Sequence, residues 1–198
     1  MTDATPSIRE GRESPPSGLR FHPGHTWVRL LSLDLAFVGV TDFAVNFTGT
    51  VAGISLPREF RLLRLGQEAW VLSSGRGRRL TQVSPIGGQI LAVNSDLLED
   101  PAGLARSPYH HAWLLCLQSV TIPEQMRKLL AHEADQIWLA RTRSTMISVL
   151  GSPSRLPLEG NQWDPAFGDE LGDEEWEALR QKLFPACRQR SLQGDPSC

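Results

Sequence analysis

A mainly β domain, a small sandwich or barrel followed by an α-helical extension, is predicted by three observations. Short apolar runs cut by turn residues recur from His25 to Leu117. After Ser119 the apolar spacing changes to steps of three and four, and both ends of the chain are polar and rich in Pro, Ser or charge. At 198 residues the chain can hold one core with appendages.

Residues 1–20 bury too little apolar surface to offset ordering entropy and are read as a mobile tail. Residues 27–31 and 35–40 flank Leu33-Asp34 as a hairpin. Thr41 can N-cap a short helix that places Phe43 and Phe47 on one face. Strands are expected over residues 49–56, 68–72, 80–83, 88–93 and 112–117, with a short helix over 97–104. GTVAGI at residues 49–54 echoes GQILAV at 88–93; related half-motifs would pack face to face, although Gly-led apolar alternation also arises by chance.

From Pro123 the apolar positions Met126, Leu129, Leu130, Ile137 and Trp138 predict an amphipathic helix running on to about Leu150, so that residues 119–151 form a helical extension. Residues 152–185 read as an acidic connector and a final helix capped by Asp173, with the stripe Trp176, Leu179, Leu183 and Phe184. Residues 186–198 read as a disordered tail.

Composition excludes several function classes. Net charge is −2, and the β region carries eight Arg against seven acids, so no basic surface marks a nucleic-acid or membrane binder. Neither a signal peptide nor an apolar run long enough to span a bilayer is recognisable. Three unpaired cysteines, Cys116, Cys187 and Cys198, fit neither a disulfide framework nor a zinc site and suit a reducing cytoplasm. His22, His25, His110 and His111 form only weak HxxH-like patterns, and no metal is expected. No nucleophile elbow or phosphate loop is present, and Cys116 sits inside an apolar strand, so no catalytic residue is assigned.

Several segments, in order and at matching distances, carry a family resemblance: HPGHTWVRL, VGVTDFA, GTVAGISLP, LRLGQEAWVL, SPIGGQILAVNSDLLEDPAGLARSPYHHAWLL. Residues 21–118 thereby resemble the H protein of the glycine cleavage system, while the remainder resembles the extension of longer, H-like bacterial proteins. The resemblance implies a flattened barrel-sandwich hybrid of the lipoyl domain type, non-catalytic, which presents lipoate on a lysine at a β-hairpin tip. The chemistry would belong to the dithiolane, the protein supplying presentation and partner contacts.

This chain departs from the family at that tip. Counted back from Ser84-Pro85, the lysine's place falls on Gly77, and the only lysines in the chain are Lys128 and Lys182. A guanidinium cannot replace the primary amine as acyl acceptor. No cofactor is therefore expected, and the chain reads as a non-lipoylated interaction or scaffold module with protein partners or self-association. The alternative is an accessory protein of glycine cleavage or lipoate metabolism that binds lipoyl groups non-covalently. The tip residues Arg76, Gly77, Arg78 and Arg79 are open to two readings, a cationic docking site or a solvated turn. The stripe residues Leu130, Ile137, Trp138, Trp176, Leu179 and Leu183 either cover their own domain or contact a partner.

Overall fold

The computed structural model describes residues 17–131, 136–159 and 162–184. In chain order the elements are β1 (Leu19–His22), β2 (Thr26–Leu30), β3 (Leu35–Val40), α1 (Asp42–Thr48), β4 (Val51–Ser55), β5 (Leu62–Leu63), β6 (Glu68–Ser74), β7 (Arg79–Val83), β8 (Gly88–Val93), α2 (Asp96–Glu99), α3 (Gly103–Arg106), β9 (Trp113–Gln118), α4 (Ile122–Met126), α5 (Gln136–Leu150), β10 (Leu158–Glu159), β11 (Gln162–Trp163) and α6 (Asp173–Leu183). A six-stranded sheet in the order β1-β2-β3-β9-β8-β5 faces a three-stranded sheet in the order β4-β6-β7, with antiparallel pairing throughout. The expected barrel-sandwich is therefore the observed one. The echoing segments at β4 and β8 fall in different sheets, as two facing half-motifs would.

Three of the sequence segments that carry the resemblance meet at one place. The Trp27 indole donates to the Val40 carbonyl at 2.9 Å and to the Pro108 carbonyl at 3.0 Å. Gly39 lies flat beneath that indole, where a Cβ would fall 2.4 Å from the ring. The Tyr109 hydroxyl donates to the Asp42 carboxylate at 2.9 Å. These bonds tie β2, the start of α1 and the approach to β9 together, and Trp27 is wholly buried, so each polar atom there needs its partner.

Thr41 caps α1 as its sequence suggests: its backbone is extended and its hydroxyl accepts from the Ala44 N–H. Other elements differ from expectation. The first strand, β1, begins at Leu19, inside the tail expected over 1–20 and two residues before the expected start of the domain, because it pairs with β2 from Leu19 to His22. The helix expected over 97–104 is split into α2 and α3 around Asp100-Pro101, since proline cannot donate to a continuing helix. The helix expected from Met126 through Trp138 is also interrupted. Leu130 leaves the helical path and exchanges backbone hydrogen bonds with Phe21 at 2.9 and 2.8 Å. Leu130 thus extends the sheet edge instead of lying on a helix, and its side chain packs with Leu19, Phe21, Trp27 and Tyr109.

The segment read as a connector is a structured strap. It contains a 3-10 turn at Pro153–Arg155, the β10–β11 hairpin and a second 3-10 turn at Phe167–Asp169. Trp163, Phe167 and Leu171 from the strap join Trp176, Leu179, Leu183 and Phe184 from α6 in the same buried cluster as Phe43 and Phe47 of α1. Trp176 stacks on Phe47 with ring centres 5.2 Å apart, and Trp163 meets Phe43 edge-on at 4.7 Å. α6 is capped one residue earlier than expected: Gly172 occupies the N-cap and donates its N–H to Glu175, and Asp173 is the first helical residue. Residues 1–16 of the tail expected at 1–20, and the tail expected at 186–198, lie outside the described residues, as do Cys187 and Cys198.

Candidate functional site: the β6–β7 hairpin tip

The tip is built by a tight turn between β6 and β7. Gly77 N–H donates to the Ser74 carbonyl at 3.0 Å and Ser74 N–H donates to the Arg78 carbonyl at 2.9 Å, with Gly77 at φ 78°. That is a turn followed by one left-handed residue, the geometry in which glycine is favoured. Gly75 N–H donates to the Thr50 carbonyl at 2.8 Å and holds the tip against the start of β4. A Cβ on Gly77 would meet nothing within 4 Å. The counted position of the missing lysine is therefore at the outermost bend, facing open space.

The arginine on its C-terminal side does not project outwards. Arg78 reaches back along the hairpin into the strap, and its side chain is only 8% exposed. Its guanidinium donates to the Gly168 carbonyl at 2.6 Å, to the Leu171 carbonyl at 2.7 Å, and to Asp173 Oδ1 from Nε at 3.1 Å and Nη2 at 2.6 Å. It also lies 5.6 Å from the Trp176 ring centre. The hydrogen bond and charge of Arg78 hold the Asp173 carboxyl below its usual range. Arg76 donates to the Asp169 carbonyl, and Asp169 in turn accepts from the Thr50 N–H and hydroxyl, both at 2.7 Å. Arg79 is exposed and makes no side-chain bond among the described residues.

The strap approaches the domain's backbone closely. A Cβ on Gly168 would sit 1.9 Å from the Phe47 carbonyl oxygen. Trp176 Nε1 donates to that same carbonyl at 3.0 Å, and Ala166 N–H to the Asn46 side-chain oxygen at 3.3 Å. The C-terminal end of α1, the β4 entry and the hairpin turn are thereby all bonded by one segment distant in sequence.

Of the expected contact residues, Trp176, Leu179 and Leu183 are buried in the chain's own core. Trp138 is half-buried beside His25, and Ile137 is exposed on α5. Neither lysine is near the bend: Lys128 follows α4, and Lys182 lies on α6 with its amine 3.5 Å from the Ser148 hydroxyl. The sequence gives no sign of the roles of Gly168, Asp169 and Leu171, because all three receive the tip arginines through backbone carbonyls, which leave no mark in a side-chain pattern. The aromatics Trp163 and Phe167 were the available signal that the acidic connector is anchored.

The histidines do not converge on a metal, and among the described residues no group of three potential ligands does. His22 Nδ1 accepts from the Gly24 N–H. His25 is buried at φ 61°, stacked on Phe43 with ring centres 4.1 Å apart, and its Nδ1 has no hydrogen-bond partner among the described residues. Desolvation, with a smaller contribution from His22, pushes the His25 imidazole down to about 3 from 6.5. An unfolded chain therefore binds a proton that the folded one refuses. Stability present above pH 6.5 is expected to fall by up to about 1.4 kcal/mol per pH unit on acidification. Urea denaturation at pH 7 and pH 5 checks this, and His25→Asn, which tolerates the left-handed backbone, should flatten most of the slope.

A Glycine cleavage H-protein family model matches residues 19–141, so the strap and α6 lie beyond the matched region. The chain is 32% identical over 118 residues to the glycine cleavage system H protein of Parvibaculum lavamentivorans, covering 60% of this chain and 92% of that one. It is 34% identical over 126 residues to the H protein of Magnetococcus marinus, covering 64% and 88%. The crystal structure of a glycine cleavage system H protein from Mycobacterium marinum superimposes with a TM-score of 0.55 at 23% identity, over 64% of this chain and 97% of that chain. That likeness concerns the fold.

Proposed function

The chain belongs to the glycine cleavage H-protein family, and from that premise we propose that it keeps the carrier scaffold without the carrier arm, as a non-lipoylated interaction or scaffold module. It is a binding protein and not an enzyme. The observation that carries the reading is chemical. An amide to lipoate needs a primary amine at the exposed bend, and the bend reads Gly75-Arg76-Gly77-Arg78 with no lysine before Lys128. A second observation supports it: the flank of the turn that a partner of a carrier arm would approach is bonded to the chain's own strap through Arg76 and Arg78.

The alternative, non-covalent capture of a lipoyl carboxylate by the tip arginines, requires free guanidinium donors. Arg78 spends its donors on Gly168, Leu171 and Asp173, which disfavours that role for it and leaves Arg79 as the tip arginine with its donors free among the described residues. We place the module in a reducing cytoplasm, where Cys116 stays a buried thiol whose ionisation burial opposes. Among the described residues no helix is long and apolar enough to cross a membrane.

Intact-mass spectrometry of the full chain isolated from its native host tests the reading. The expected result is the mass of the bare polypeptide; an added lipoyl mass overturns it. Calorimetric titration with lipoate and lipoamide separates the alternative, with no heat expected from either ligand.

A further inference from the structure

The end of the sandwich away from the tip carries a surface of a different kind. β4 runs antiparallel to β6, with Val51 opposite Ser74 near the tip and Ser55 opposite Val71, so the chain leaves β4 at the far end. There the connection to β5 exposes an alternation of cations and large apolar side chains: Arg58, Phe60, Arg61, Leu62, Arg64 and Leu65. Phe60 is 71% exposed and Leu62 68%.

This segment is pinned. Phe60 N–H donates to the Ile90 carbonyl at 2.7 Å, and Ile90 N–H donates to the Arg61 carbonyl at 3.0 Å. Between those bonds Phe60 is held at φ 62°, a left-handed conformation that a bulky residue rarely adopts. The backbone thus presents a large ring to solvent at a conformational cost, and no core contact explains it.

A second exposed apolar pair lies at the same end of the sheet. The row there runs Leu62, Gln89, Gln118, Leu35 across β5, β8, β9 and β3, so two exposed glutamines separate it from Leu62. Just beyond that row the Ser119 N–H donates to the Asp34 carbonyl at 2.8 Å, and the residues beside that bond, Leu33 and Val120, are 77% and 86% exposed. Exposed apolar groups gathered at one end in this way mark an interaction surface.

Its electrostatics select the partner. None of the side chains of Arg58, Arg61 and Arg64 makes a hydrogen bond or ion pair among the described residues, so all three guanidinium groups keep their donors for a partner. The carboxylates of Asp34 and Glu59 lie at the same end and bond only to neutral donors, Asp34 to Ser32 and Gln118 and Glu59 to the Val93 N–H, so the three arginines outnumber them. We infer that this end docks an acidic protein surface bearing apolar side chains, with the apolar groups meeting Phe60 and Leu62 and the carboxylates pairing with the three arginines.

The inference rests on the reading of the chain as an interaction module and adds which face interacts. Its test is independent of the mass measurement. The full chain, labelled with 15N, is titrated with a synthetic peptide alternating Glu and Leu, with Lys/Leu and Glu/Ser peptides as controls. The Glu/Leu peptide is expected to shift the amides of residues 58–65 together with Leu33 and Val120. Arg58→Glu, Arg61→Glu and Arg64→Glu combined, or Phe60→Ser alone, should weaken binding about tenfold with the remaining spectrum unchanged. The assignment is overturned by shifts confined to another face, by equal binding of the Lys/Leu peptide, by tighter sedimentation with phosphatidylserine vesicles, or by a dimer in light scattering whose interface amides are these. Shifts confined to another face would still leave the interaction-module reading standing.

Discussion

Replacing Arg78 with methionine is expected to release the strap from the hairpin and to cost about 3 kcal/mol, since the lost bonds are charge-assisted and two of them end on backbone carbonyls. Methionine keeps most of the stem that lies beside Trp176 but offers no donor to Gly168 or Leu171. Those carbonyls then either stay dry and unpaired or pull the strap out towards water, and the second outcome is cheaper. Hydrogen exchange should show it as faster exchange over residues 163–184, with protection in β2, β3 and β9 retained. Asp173→Asn is the matching control. Its side chain is 88% exposed, so water compensates for most of the lost ion pair and the strap should stay in place. Equal loosening by the two substitutions would mean that the ion pair, and not the backbone docking, holds the strap.

That asymmetry explains what could be read in the sequence. The strands were legible because alternation is local: each apolar run between turn residues reports its own burial, and β3, β8 and β9 fall close to where that pattern places them. α1 was legible from Thr41 and the spacing of Phe43 and Phe47, and α6 from Trp176, Leu179 and Leu183. The break at Leu130 was not, because an apolar residue at helical spacing looks the same whether it lies on a helix or bridges a strand; the decision is made by Phe21, whose backbone needs a partner at the sheet edge.

The tip shows the same limit more sharply. The absence of lysine is a fact of composition and could be read directly. The fate of the arginines could not, because the groups that receive Arg78 lie 90, 93 and 95 residues away, and two of them are carbonyls common to every residue type. A cationic turn beside glycines is compatible with solvent, with a ligand and with an intramolecular dock. Only the tertiary placement of the strap chooses the third for Arg78, leaving Arg79 exposed.

Gly168 offers the complementary experiment, acting on the strap's path without touching any charge. Gly168→Ala puts a methyl group where the Phe47 carbonyl already stands, 1.9 Å from the built Cβ, and a carbonyl at the end of a packed helix cannot rotate aside as a flexible side chain could. The strap must lift, breaking the Arg78 bonds to residues 168 and 171 and straining the Trp176 bond to Phe47. Overpacking of this kind is expected to cost about 3 kcal/mol. If Arg78 and Gly168 serve one docking event, the double variant should be destabilised by about 3 kcal/mol and not by about 6, because the second change acts on contacts already lost. Additive losses in urea denaturation would instead show two independent attachments, and the hairpin tip would then be held by the strap's side chains and not by its backbone.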